Sequence, residues 1–93
     1  MPRPSRTLPK ERMDRWPDVP AADPSAEVAR RFALNLRAAI GDISLRAAEK
    51  VTGVDHSTIQ AILRGQTWPD LDTIAKLENG FGVSLWPGLV KGN

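Results

Sequence analysis

The sequence predicts an all-α protein, a compact bundle of four to five short helices. Apolar residues recur every four positions at Val28, Phe32, Leu36 and Ile40, which is the spacing of one face of a helix. No stretch alternates between apolar and polar residues with the period of two that a strand requires. Ninety-three residues with 41% hydrophobic content are enough for one modest core.

The first two predicted helices have signals at both ends. Each is preceded by a residue whose side chain can accept from the first free backbone N–H groups, and each ends at a glycine. The residues are Asp23 and Gly41 for the first helix, and Ser44 and Gly53 for the second. Two arginines of the first helix, Arg30 and Arg31, are expected to form a solvated face.

The third predicted helix, from an N-cap at Asp55 to Gly65, has two different sides. Ile59 and Ile62, with Leu63 beside them, form an apolar side. The other side carries small or polar residues: His56, Ser57, Gln60, Ala61 and Arg64. Such a helix, entered through a tight turn, suits insertion into a DNA groove. An ordinary amphipathic surface helix has the same pattern, so this stretch alone leaves both interpretations open.

A loop over residues 66–69 leads to a fourth predicted helix. Asp70 can cap this helix, and the Asn79-Gly80 pair is expected to end it. An apolar tail follows, with Phe81, Val83, Leu85 and Trp86 as its apolar residues. Pro87 comes directly after them and prevents a long fifth helix. Two tryptophans that precede prolines are expected to fill the core rather than to stack on bases: Trp68 and Trp86.

Composition limits the possible functions. The formal net charge of +2 permits nucleic-acid binding without arguing for it. The chain has no cysteine, one histidine and no tyrosine, so we expect no metal site, no cofactor and no enzymatic activity. No apolar run approaches the roughly 18 residues of a membrane span, and a cytoplasmic location is expected.

Residues 1–22 differ in composition from residues 23–93, and we expect them to be an extended arm preceding one helical domain. Residues 1–16 hold five basic and two acidic side chains, a net charge of +3, and residues 1–24 contain six of the eight prolines. An arm of this kind could follow a DNA backbone, or it could be a disordered tail. Trp16 is the one residue of this segment that is expected to pack on the rest of the protein, because a lone tryptophan usually covers other residues.

The span from about Val28 to Trp86 resembles the helix-turn-helix domain of the phage repressor and Cro type, the XRE family, whose fold is lambda-repressor-like. Ser44 opens the second helix and the turn glycine, Gly53, follows nine residues later. The remaining matches are Val54, Ile59, Ile62 and Gly65, then Pro69-Asp70-Leu71, Thr73-Ile74 and Leu77. In that family the second helix of the motif lies in the major groove.

The sequence departs from the family pattern at the turn. A small residue is usual four positions before the turn glycine, where the two helices touch, but this chain has Glu49. The standard inward set, Ala48, Glu49 and Thr52, contains a carboxylate, whereas a set shifted back by one residue is fully apolar: Ala47, Ala48 and Val51. Either the turn holds one extra residue, which we favour slightly, or Glu49 points to the rim.

Two further departures concern residues outside the turn. The family often has a glutamate just before the final Arg-Gly, paired with an arginine of the first helix. Leu63 fills that position here, which leaves Arg37 available for another partner. The fifth helix that the family uses as a dimer contact is also shortened in this chain.

The resemblance implies a role for each matched position. His56, Ser57, Thr58, Gln60 and Ala61 should face base edges in double-stranded DNA. Arg46, Arg64, Gln66 and Thr67 should hold phosphates, with the backbone N–H groups at helix starts assisting.

Two classes of function follow from these expectations. The first is a small sequence-specific regulator of transcription, a repressor that occupies an operator, with a second copy bound on a two-fold site. The second is a helical interaction module, such as an antitoxin or adapter, which binds protein through residues 85–90. The modest net charge keeps the second alternative open.

Overall fold

The computed structural model describes residues 7–90, and they form four α-helices after one short 3-10 helix. The 3-10 helix is Pro9–Arg12, and the α-helices are α1 (Pro24–Ile40), α2 (Leu45–Thr52), α3 (His56–Leu63) and α4 (Leu71–Phe81). These residues contain no strand, which confirms the predicted all-α class. None of the helices among them is long and apolar enough to cross a membrane.

A capping side chain marks the start of every α-helix. The four predicted N-caps each accept a hydrogen bond from a backbone N–H in the first turn, at 2.8–3.0 Å. The pairs are Asp23 with Ala26, Ser44 with Ala47, Asp55 with Ser57, and Asp70 with Thr73. These predictions are confirmed.

The end of α4 differs from the prediction. The helix continues through Gly80 to Phe81 and ends at Gly82, which has φ of +68°. Gly80 is needed for a close helix approach, since a Cβ there would lie 2.6 Å from the Cα of Thr52 in α2. Its missing side chain lets α4 pack on α2, and it does not stop the helix.

The core is formed by residues of all four α-helices. Phe32 and Leu36 of α1 are buried against Ile59 of α3 and Leu77 of α4. Leu85 of the tail completes this cluster and is 1% exposed. The tail is held in place because Asn35 Nδ2 donates to the Leu85 carbonyl at 2.9 Å.

The prediction that two tryptophans fill the core is wrong. Trp86 is 50% exposed, and Glu78 accepts from its backbone N–H at 2.9 Å while the ring lies at the surface. Trp68 is half-buried, and its Nε1–H donates to the Thr7 carbonyl at 2.8 Å. Both rings line a groove between α1 and α4, beside Val28 and Ile74.

Residues 7–22, here called the N-terminal strap, are packed on the helices rather than extended. Pro9 is fully buried, and Ala21 N donates to Glu27 Oε1 at 2.8 Å. The Trp16 indole lies against Gly65, as expected for a tryptophan that covers other residues. The structure therefore differs from the predicted extended arm in this part of the chain; the other arm residues, 1–6, lie outside the described range.

A buried carboxylate joins the strap to α1. The Glu27 side chain is 2% exposed and forms ion pairs with Arg30 and Arg31, each at 2.8 Å. Its hydrogen bonds from Arg30 hold the pKa of Glu27 at about 2, against the opposing effect of burial. Arg30 also donates to the Pro17 carbonyl at 3.3 Å. Arg30 is only 12% exposed, so the prediction of a solvated Arg30–Arg31 face is wrong for Arg30.

Candidate nucleic-acid interface

α2 and α3 are joined by a tight turn centred on Gly53. This glycine has φ of +77° and donates its N–H to the Glu49 carbonyl at 2.7 Å. Thr52 Oγ1 donates to the Ala48 carbonyl at 2.8 Å and accepts from Val54 N at 3.1 Å. One threonine thus satisfies backbone groups on both sides of the turn.

The turn has the standard length. Ala48 is fully buried and Thr52 is 8% exposed, whereas Val51 is 49% exposed. The shifted register, with Val51 inward and one extra turn residue, is therefore wrong. Thr52 can replace an apolar residue at the helix crossing because its hydroxyl is satisfied within its own turn.

Glu49 lies at the rim of this turn and caps α3. One oxygen, Oε1, accepts from the backbone N–H of His56 at 3.0 Å and lies 2.8 Å from His56 Nδ1. These contacts, the side-chain one foremost, lower the pKa of Glu49 below its usual value. The side chain is 41% exposed, so it avoids the cost of full burial.

This capping role of Glu49 was not predicted from the sequence. The available signal was a carboxylate on α2 seven positions before the first residue of α3. That spacing alone does not fix the direction of the side chain across the turn. The geometry also shows that α3 does not offer its first N–H groups to a phosphate, because Glu49 and Asp55 already accept from His56 and Ser57.

The outward side of α3 carries all five residues expected to meet bases. Ile59, Ile62 and Leu63 are buried on the other side of the helix. Ser57 is exposed and its hydroxyl donates to the Asp55 carboxylate. The four remaining residues are half-exposed: His56, Thr58, Gln60 and Ala61.

The four residues expected to meet phosphates lie on two elements. Arg46 is exposed in the first turn of α2. Three follow one another at the end of α3 and in the loop after it: Arg64 and Gln66, which are exposed, and Thr67, which is half-buried. Within residues 7–90 neither Arg46 nor Arg64 forms a salt bridge. Both guanidinium groups thus remain available for an external anion.

A helix-turn-helix family model matches residues 36–85, which span the end of α1 and all of α2, α3 and α4. The chain belongs to the helix-turn-helix family of the XRE type. Its function is of that family's kind, DNA binding in the regulation of transcription. Neither a curated protein sequence nor a solved structure gave a match.

The strap lies outside the part of the chain that matches the helix-turn-helix family, yet it contacts the end of α3. Trp16 Nε1–H donates to the Leu63 carbonyl at 2.9 Å, and Lys10 N donates to the Gly65 carbonyl at 3.0 Å. Carbonyls at a helix end otherwise lack intrahelical partners. The strap thus caps the C-terminal end of α3, as Glu49 and Asp55 cap its start.

One group of metal-ligand side chains is found among the described residues, at the start of α3. Glu49, Asp55 and His56 offer atoms that lie within 4.8 Å of one another. Both carboxylates accept from backbone N–H groups of α3, and His56 Nδ1 faces Glu49. Capping accounts for this arrangement without a metal.

Replacing the family glutamate by Leu63 has a visible consequence. Leu63 is 8% exposed and joins the core beside Ile59 and Ile62. Arg37 of α1, the expected partner of that glutamate, is exposed and forms no salt bridge within residues 7–90. Leu63 thus makes apolar contacts at the position where family members often have a glutamate that forms an ion pair.

Proposed function

We propose that this protein binds a specific double-stranded DNA sequence as a small transcriptional repressor, with α3 in the major groove. One observation carries the proposal most directly. α3 buries Ile59 and Ile62, and its opposite side presents small and polar side chains with Arg64 at its end, unpaired among the described residues. A helix of this shape can approach base edges closely while its ends meet the backbone.

The proposed base readers differ in chemistry. Gln60 can bind adenine through two hydrogen bonds, and Ala61 can contact the methyl group of thymine. Ser57 can donate or accept, although its hydroxyl must first leave Asp55 to donate to a base. His56 and Thr58 flank these three residues and would contact the neighbouring base pairs.

The proposed phosphate contacts lie on both sides of α3. Arg46 would hold the backbone beside the start of α2, while Arg64, Gln66 and Thr67 would hold it beside the end of α3. The start of α3 is a poor phosphate site, since the carboxylates of Glu49 and Asp55 repel an anion there. Within the helix-turn-helix, phosphate binding should therefore rest on these four side chains rather than on the N–H groups at the start of α3.

A second function, that of a protein-interaction module, is favoured by the exposed apolar residues near the tail. Leu71, Trp86 and Leu89 are 82%, 50% and 93% exposed. A partner protein or a second copy of this chain could cover them. We keep the regulator as the leading function because the family match concerns the DNA-binding motif itself. A cytoplasmic location and the lack of enzymatic activity are parts of that proposal.

Selection from a library of random duplexes tests the proposal. The wild-type protein should enrich one motif. Ala61→Glu should enrich none, because it turns a carboxylate toward the DNA from the outward side of α3. Ala75→Glu on α4 makes the same charge change at an exposed position and should enrich the wild-type motif. If the wild-type protein enriches no motif, the interaction module becomes the better proposal.

A further inference from the structure

We propose that the N-terminal strap is part of the DNA-binding surface, and that Lys10 is a phosphate-contacting residue held beside Arg64 by the anchor residue Trp16. This inference rests on the proposed function and extends it beyond the residues that match the family model, 36–85. The observation that carries it is the contact between the strap and the end of α3.

Lys10 lies directly beside the end of the helix. Its backbone N–H donates to the Gly65 carbonyl at 3.0 Å, and its Cβ lies 3.0 Å from the point where a Cβ on Gly65 would be. Arg64 and Gln66, both exposed, are the chain neighbours of Gly65. A phosphate held by Arg64 would therefore lie close to the base of the Lys10 side chain.

The Lys10 ammonium group is free to bind an anion. The residue is exposed, and within residues 7–90 no carboxylate forms a salt bridge with it. Arg12, two positions later, is a poorer candidate. It forms a salt bridge with Asp23 at 3.3 Å, and its guanidinium lies 4.6 Å from the centre of the Trp68 ring.

The strap is anchored on both sides of Lys10. Before it, the Thr7 carbonyl accepts from Trp68 Nε1 at 2.8 Å; after it, Trp16 Nε1–H donates to the Leu63 carbonyl at 2.9 Å. The backbone of Lys10 is thus fixed relative to α3 before any DNA is bound. Only the side chain must be ordered on binding, which lowers the entropic cost of the contact.

Point substitution tests this role better than truncation, because deletion of residues 1–16 would also remove Trp16 and the cap that it places on α3. Full-length Lys10→Ala should bind the selected duplex several-fold more weakly at about 0.1 M salt. Its plot of log affinity against log salt should be less steep by about one unit, as for one lost phosphate contact. The base preference should be unchanged.

Lys76→Ala is the matched control, because Lys76 is an exposed lysine on α4 paired with Asp72 at 3.0 Å. It should bind like the wild-type protein. Equal affinity and equal salt slope for Lys10→Ala and wild type would overturn the inference while leaving the proposed function intact. A wild-type protein that selects no duplex would overturn both.

The anchoring role of Trp16 has its own test. Trp16→Phe keeps an aromatic ring against Gly65 but loses the N–H that donates to Leu63. If Trp16 holds Lys10 in place, Lys10→Ala should weaken binding less in the Trp16→Phe background than in the wild-type background. Thermal melting confirms that each variant is folded. Equal weakening in both backgrounds would show that Lys10 does not depend on this anchor.

Discussion

Glu49 and His56 join the two helices of the motif through one carboxylate oxygen. That oxygen accepts from the backbone N–H of His56 at 3.0 Å and lies 2.8 Å from its Nδ1. The first free N–H of α3 is thereby satisfied from α2, and the negative charge lies at the positive end of the α3 dipole. The carboxylate therefore ties the start of α3 to α2.

Glu49→Ala should lower the melting temperature and weaken binding to every duplex. The substitution removes the acceptor for His56 without emptying the core. Glu49→Gln keeps an oxygen at the same distance from the backbone and should fall between Glu49→Ala and the wild-type protein. Thermal melting near pH 7 measures the first effect, with Lys50→Ala as an exposed neighbour on α2 for comparison. An unchanged or higher melting temperature for Glu49→Ala would contradict the capping role.

Acid should unfold this protein partly through Glu27. Its folded-state pKa is about 2, below the usual value of 4.5. A carboxyl group with a lowered pKa stabilises the folded state above its unfolded-state pKa, so the contribution is complete above about pH 4.5. It is lost as the pH falls from there towards 2. The pKa difference corresponds to a free energy on the order of 3 kcal/mol.

Glu27→Gln tests this contribution. The variant should be less stable than wild type at pH 7, because Arg30 loses its ionised partner in a nearly buried position. The difference in free energy of unfolding should shrink as the pH falls below about 4.5. Asp42→Asn is the control, since Asp42 is exposed and forms no salt bridge in the described part of the chain. A difference that stayed constant down to pH 3 would rule out the linkage.

Much of the fold could be predicted because helix signals are local. Asp23, Ser44, Asp55 and Asp70 lie next to the backbone groups that they cap, so residue type and position are sufficient. The end of α4 was missed for the opposite reason. Glycine is a residue type that often ends a helix, so Gly80 was predicted to end α4. Glycine is required there because Thr52 of α2 leaves no room for a side chain.

The side of α3 on which the candidate residues lie could be predicted from the sequence, whereas the contacts at the two ends of this helix could not. The positions of Gln60 and Ala61 relative to Ile59 follow from helix geometry alone. The capping of α3 by Trp16 does not, because that hydrogen bond spans 47 positions of the chain. A proline-rich basic segment predicts an extended arm unless its contacts with the helices are known.

Gly65→Ala should destabilise the protein more than the same change at Gly82. Both glycines have φ of +68°, so each substitution carries the strain of a left-handed residue, about 1–2 kcal/mol. At Gly82 an added Cβ meets nothing within 4 Å, whereas at Gly65 it would lie 2.7 Å from the Trp16 ring. The overpacking should cost a further 1–3 kcal/mol, roughly.

Urea denaturation of the two glycine variants measures that difference directly. The larger decrease in free energy of unfolding for Gly65→Ala should become smaller when Trp16 is also replaced by a smaller side chain, because the clashing ring is then absent. Equal free energies of unfolding for Gly65→Ala and Gly82→Ala would show that the strap does not press on the end of α3.

Gln60 and Arg64, both on the outward side of α3 or at its end, should make different kinds of contact with DNA. Gln60 is half-exposed on the outward side of α3, where its amide could pair with adenine. Gln60→Ala should cost on the order of 1–3 kcal/mol at one base position and relax the preference there. Arg64, exposed at the helix end, should contact a phosphate. Arg64→Ala should weaken all sequences alike and lower the salt slope by about one unit.

Neither change should unfold the domain, because both side chains lie away from the buried Ile59 and Ile62. The measurement is the binding of both variants to the selected duplex and to its single-base variants across a salt series. If Gln60→Ala weakens binding to every duplex equally, Gln60 contacts the DNA backbone rather than a base. If Arg64→Ala changes the preference at one base pair, Arg64 contacts that base. If neither variant binds differently from wild type, α3 is not the element that reads DNA, and the exposed apolar residues near Trp86 become the surface to study.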